Sequence, residues 1–155
     1  MDPLIGTSLS TISLIILVTV AAIWDCVQRR IPNKLVIIGL VMGVGLALIL
    51  GGFLGMAESV AGAGVGMLLL LWPFSKGWLG GGDVKLMMVC GSFLGPKDIV
   101  LVILVSTAFN GLLSLGWLML SRRGIQVRGV PFAVAVAFAV FAVVVGVVPV
   151  DSIWA

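Results

Sequence analysis

Histidine is absent from all 155 residues, which removes the usual general base of serine and cysteine hydrolases and the commonest zinc ligand. The two cysteines, Cys26 and Cys90, form no C-x-x-C pair and sit in different segments, so they offer neither a zinc ribbon nor a redox motif and read as small apolar residues. Charge is equally scarce: six acids and nine bases make up 10% of the chain. Acid/base chemistry therefore has to rest on carboxylates or lysines. No repeat, low-complexity tract or soluble domain is evident in the sequence, and the net charge of +3 says little about partners.

What fills the chain instead is apolar: 61% hydrophobic residues and a mean hydropathy of +1.33, recurring along almost the whole length. A soluble domain of this size would bury one core beneath a polar skin, so the composition implies a polytopic membrane protein. Six spans are expected, at about Pro3 to Trp24, Leu35 to Leu54, Ala57 to Phe74, Leu79 to Gly95, Ile99 to Leu120 and Pro131 to Val148. Together they form a single all-α membrane domain over residues 1–155, with no soluble N-terminal domain. The first span lacks a basic leader and an A-x-A site, so it reads as a retained helix. Spans two and three are divided at Gly55 and Glu58. Glycines four apart, Gly39 with Gly43, Gly51 with Gly55 and Gly62 with Gly66, suit close helix packing in lipid.

Charges orient the bundle. Arg29, Arg30, Lys34, Lys76, Lys85, Arg122, Arg123 and Arg128 fall on one face and Lys97 alone on the other, so that face is cytoplasmic and both termini are outside. Trp24, Trp72, Trp78 and Trp117 mark the same interface. The acids run the other way: Asp2, Glu58, Asp98 and Asp151 lie on the outer side, while only Asp25 and Asp83 share the inner side with the bases.

Asp83 follows Gly80-Gly81-Gly82 at the head of a short apolar span, about one turn inside the membrane boundary, where an ionisable group is costly and points to function. The glycines accept unusual backbone angles and let a second backbone approach. Asp25 opens the most polar decapeptide of the chain, in which Pro32 disfavours helix at Ile31 and Asn33 can cap the helix that follows. If the two carboxylates meet, one ionised member can draw a proton from water while the protonated member polarises a carbonyl and then supplies the leaving amine. Other readings stay open on spacing alone. Asp25 with Arg29, and Asp83 with Lys85, could form ordinary ion pairs, or the same carboxylates could relay protons in a small proton-coupled transporter. The lack of an evident inverted repeat weighs against the transporter.

Gly80-Gly81-Gly82-Asp83-Val84-Lys85-Leu86, with Gly91 and Gly95 downstream, resembles the G-x-G-D segment of the type IV prepilin peptidases, and Asp25 ahead of Arg30-Ile31-Pro32-Asn33 resembles their other aspartate segment. The short length is most similar to the peptidases of tight-adherence (Flp) pilus systems. That resemblance implies an aspartic endopeptidase of the bacterial inner membrane, with Asp25 and Asp83 as its catalytic pair at the cytoplasmic face. The implied substrate is a pilin-like precursor whose basic leader ends in glycine before an apolar helix. Gly80, Gly82, Lys85, Pro32, Asn33 and Pro131 would bind substrate or shape the site. No metal or organic cofactor is implied, and no partner besides the precursor and the lipid bilayer, in particular no nucleic acid. The longer members carry a further cytoplasmic domain with paired C-x-x-C motifs that has no match here, which argues against methyl transfer. Their P-Y-G or P-F-G segment reads Pro131-Phe132-Ala133 in this chain.

Overall fold

A computed structural model describes residues 3–28, 31–121 and 132–144, and all but the short connections at 31–32 and 76–80 are helical. The helices are α1 (Pro3–Gln28), α2 (Asn33–Ser75), α3 (Gly81–Ser121) and α4 (Phe132–Val144). Three of them are long and apolar enough to cross a membrane: α1 over Leu9–Gln28, α2 over its whole length, and α3 over Gly81–Leu112. Their outer surface is as greasy as their interior, with Ile16, Ile23, Val41, Ile49, Leu54 and Leu68 all exposed. Such a surface is stable only against lipid, and this is an integral membrane protein.

The long helices are not straight. In an unbroken helix Gly39 and Gly66 would lie about 40 Å apart. Yet a Cβ on Gly39 would touch Val89 and one on Gly66 would touch Met87, two residues away on α3. The chain must therefore double back between them, and the one residue of α2 with non-helical angles is Gly52, at φ 62° and ψ −149°. The same logic applies to α3. Met87 and Ile99 both border Gly66, although about 18 Å of straight helix would separate them. Here Gly95, at φ 78°, makes the turn and Pro96 starts the second arm, where its missing N–H costs nothing. Positive φ is what a side chain would resist at both places.

Each hairpin thus supplies two arms. The first arm of α2 runs parallel to the first arm of α3, since Gly39 meets Val89 and Gly43 meets Phe93; the second arm of α2 runs antiparallel to it, since Gly62 meets Gly91 and Gly66 meets Met87. Gly39, Gly43, Gly62 and Gly66 are buried in these seams, as the four-residue spacing predicted, whereas Gly51 is exposed. The turn at Gly52 also corrects the expected division of spans two and three at Gly55 and Glu58: Gly55 is a buried helical residue and Glu58 an exposed one.

The first arm of α3 is the hub of the bundle. Leu86, Met87, Val89 and Cys90 are almost fully buried, walled by both arms of α2 and joined in one core by α1 and α4. From α1 come Leu14, Leu17, Val18 and Ala21; from α4 come Val136, Ala139, Val140 and Val143. Phe109 on the second arm of α3 stacks on Phe138 of α4 at 4.4 Å. Buried hydroxyls bond backbone, as the absence of water demands: Ser59 donates to the carbonyl of Ser92 across the seam at 2.6 Å, and Ser92 to that of Val89 at 2.7 Å.

Candidate active site

The end of the bundle opposite Gly52 and Gly95 gathers the polar segments. The last turn of α1, the start of α2, the end of α2 and the start of α3 all meet there. Lys34, Lys76 and Lys85 lie at this end, and Lys97 lies beyond the Gly95 turn at the other.

Local chemistry shapes the approach to Asp83. α2 ends in a Schellman motif: Gly77 takes φ 74°, its N–H donates to the carbonyl of Phe74 at 2.9 Å, and the N–H of Trp78 donates to that of Pro73 at 3.0 Å. This reversal delivers Leu79 and the three glycines to the head of α3, with Trp72 and Trp78 exposed beside it and their rings edge-to-face at 5.6 Å. Gly80 occupies the N-cap position. The N–H of Asp83 donates to the Gly80 carbonyl, and the N–H of Gly80 donates back to Asp83 Oδ2, both at 3.1 Å. The carboxylate therefore caps its own helix from the third position, where the helix dipole favours negative charge. A Cβ on Gly80 would come within 3.3 Å of that same oxygen.

Asp25 sits three residues before the end of α1 and, like Asp83, is half-buried. Although 58 positions separate them in sequence, the two carboxylates lie within electrostatic range of each other. One accepts from a single backbone donor, the Gly80 N–H, and the other lies on a neighbouring helix. Two carboxylates that approach to hydrogen-bonding distance can share a proton and hold a water between them. Among the described residues no three histidine, cysteine, aspartate or glutamate side chains gather closely enough to hold a metal ion.

The residues expected to shape the site fall as follows. Gly82 faces Ile31, whose Cγ1 would lie 3.4 Å from a Cβ there, and Ile31 is buried by the contact. Pro32 is the N-cap of α2 in extended conformation, with its carbonyl accepting from Leu35 at 3.0 Å and Val36 at 3.4 Å. Asn33 does not cap α2, contrary to expectation. It is the first helical residue, and its Oδ1 accepts a 2.8 Å hydrogen bond from Lys85 Nζ. Lys85 thus reaches across to another helix and offers its proton to an amide. The proposed partner of Asp25, Arg29, and the residue Pro131 lie outside the described residues. Sequence reasoning assigned no role to Ile31 as an anchor, although one apolar side chain inside the most polar decapeptide was a visible signal.

Comparison with known proteins gives one family. Residues 12–115 match the type IV leader peptidase family, a stretch that includes both aspartates. The prepilin leader peptidase/N-methyltransferase of Aeromonas hydrophila is 32% identical over 122 residues, which is 74% of this chain and 41% of that protein. The protein of the same name from Aeromonas salmonicida (strain A449) is 31% identical over the same shares. The chain therefore spans about two fifths of the length of the curated relatives it matches. No solved structure matches it. With the match covering well over half of its residues, this chain belongs to the type IV leader peptidase family.

Proposed function

We propose that this protein is a membrane-embedded aspartic endopeptidase that removes the leader of prepilin-type precursors, with Asp25 and Asp83 as the catalytic pair. The observation that carries the reading is their convergence: two acids 58 positions apart, on different helices, are brought within electrostatic range where α1 ends and α3 begins. The ionised carboxylate takes a proton from water as the water attacks the scissile carbonyl. Its protonated partner donates a hydrogen bond to that carbonyl oxygen and later passes its proton to the leaving amine. Membership of the leader peptidase family supports a prepilin substrate, and the precursor proposed is a pilin of the Flp type.

In this reading all six arms cross the bacterial inner membrane, each hairpin turning on the outer side. Both termini are extracytoplasmic and the aspartates open to the cytoplasm. Clustering of Lys34, Lys76 and Lys85 at the aspartate end supports that orientation. The exposed thiol of Cys26, next to Asp25, gives a direct check. A membrane-impermeant maleimide should label it in inverted inner-membrane vesicles and leave it unlabelled in intact spheroplasts; the opposite pattern would reverse the orientation.

The activity itself is tested with the full chain reconstituted in liposomes and a precursor whose basic leader ends in glycine. A new N-terminus at the residue after that glycine is the expected product. An intact precursor under conditions where the protein is folded and inserted would contradict the assignment.

A further inference from the structure

Two contacts tie the end of the loop after α1 and the first residue of α2 to the head of α3, and they bracket Asp83. On one side Ile31 is buried over Gly82; on the other Asn33 accepts from Lys85 at 2.8 Å. Both α3 residues lie within two positions of Asp83, and both of their partners lie within eight positions of Asp25. Between α1 and α2, Ile31 and Pro32 are non-helical.

The placement of Lys85 is also poor on stability grounds alone. The first arms of α2 and α3 are parallel, so both present positive helix ends at this end of the bundle, and Lys85 Nζ lies beside the first residue of α2. A cation there opposes the dipole of α2 instead of complementing it. A neutral or acidic residue would suit the helix better. The side chain is moreover exposed, so burial does not hold it in place. What Lys85 gains is a bond spanning 52 positions of sequence, between the heads of α2 and α3.

We infer that Lys85 and Asn33 form a clamp, aided by Ile31 on Gly82, that positions the Asp25-bearing end of α1 against Asp83. They are positioning residues: the clamp acts through the carboxylates. The inference rests on the peptidase reading for its catalytic consequence, while its geometric consequence stands alone. A misplacement of about 1 Å in a reacting pair can cost on the order of a hundredfold in rate.

The test uses the full chain in liposomes. Lys85→Met and Asn33→Leu should each lower kcat by roughly ten- to a hundredfold while KM stays within about twofold. The double variant should be no slower than the worse single, because both remove one bond. Asn33→Asp, which keeps an acceptor, should retain most of the rate. Additive losses in the double variant, or an effect confined to KM, would overturn the clamp and make Lys85 a substrate contact. A second readout needs no catalysis. Spin labels on the native exposed Cys26 and on Trp78→Cys report the spacing between the end of α1 and the approach to α3. That distance distribution should broaden or shift in Lys85→Met and stay as in the parent in Asn33→Asp. An unchanged distribution in Lys85→Met refutes the clamp. If the parent protein cleaves no precursor yet the distances respond as described, the peptidase reading falls and the clamp survives.

Discussion

Gly62→Ala is the substitution for which the fold makes its sharpest quantitative claim. A Cβ at Gly62 would stand 2.1 Å from the carbonyl oxygen of Gly91 and 2.8 Å from the backbone of Gly95. These are backbone atoms of the central arm and cannot rotate aside. Restoring even a tight 3.0 Å contact requires the second arm of α2 to retreat from α3 by about 0.9 Å. A gap of 0.5–1 Å forfeits roughly a quarter to a half of each dispersion contact along the seam, and overpacking of this kind costs about 1–3 kcal/mol. The Ser59 bond to the Ser92 carbonyl, in the same seam, would lengthen with it. Against this stands the better helix propensity of alanine, about 1 kcal/mol.

Gly64 is the internal control. It lies on the same arm two residues away, nothing stands within 4 Å of a Cβ there, and its φ is ordinary. Gly64→Ala should therefore gain the propensity term without the clash. The propensity gain is common to both, so the two variants should differ by the clash alone, about 1–3 kcal/mol in unfolding free energy, measured by reversible denaturation in mixed micelles. Gly91→Ala should resemble Gly62→Ala, since its Cβ would meet the Gly62 carbonyl at 2.2 Å. The double variant should lose less than the sum, because one seam is opened by both. Equal stability of Gly62→Ala and Gly64→Ala would refute the register of α2 against α3.

The glycines beside the aspartate should behave differently. Gly82→Ala makes only an ordinary contact with Ile31 and Gly80→Ala asks Asp83 to yield by a few tenths of an ångström, so both should stay within about 0.5 kcal/mol of the parent. A fall in cleavage without a fall in stability would then mark where an extended substrate lies against this backbone; unchanged cleavage would remove that role. At Gly52 and Gly95 space is open but φ is positive, so alanine should destabilise by about 1–2 kcal/mol, and equal loss at Gly45, where φ is ordinary, would contradict the hairpin turns. Ser59→Ala should cost about 1 kcal/mol by leaving the Ser92 carbonyl without its cross-seam donor, read in the same unfolding assay; no change would mean that the bond is not formed in lipid.

Much of the site was legible because charge is so rare in this chain. Against an apolar background, Asp25 and Asp83 stand out as the acids that fall among the basic segments of the sequence, and their carboxylates lie within electrostatic range of one another. The packing glycines were legible too, since Gly39, Gly43, Gly62 and Gly66 fall at the spacing that keeps one face of a helix bare. The turn between the second and third apolar runs was not. Hydropathy is uniform from Leu46 to Met56, so Glu58 drew the boundary toward itself, whereas the chain turns where a backbone can take positive φ, at Gly52. Lys85 was weighed against its sequence neighbour Asp83. Two residues apart on a helix, they point to different sides, and the partner came from the head of α2, 52 positions earlier, which no local pattern reveals.

Asparagine at position 83 keeps an oxygen that can accept from the Gly80 N–H, so it preserves the helix cap while removing the acid. Asparagine at position 25 likewise removes only the second carboxyl. The most direct measurement of the central claim is the rate of leader removal by Asp25→Asn and Asp83→Asn, each inserted and folded like the parent in the same liposomes. Both should lose cleavage altogether; turnover near the parent rate in either variant would contradict a shared carboxylate mechanism.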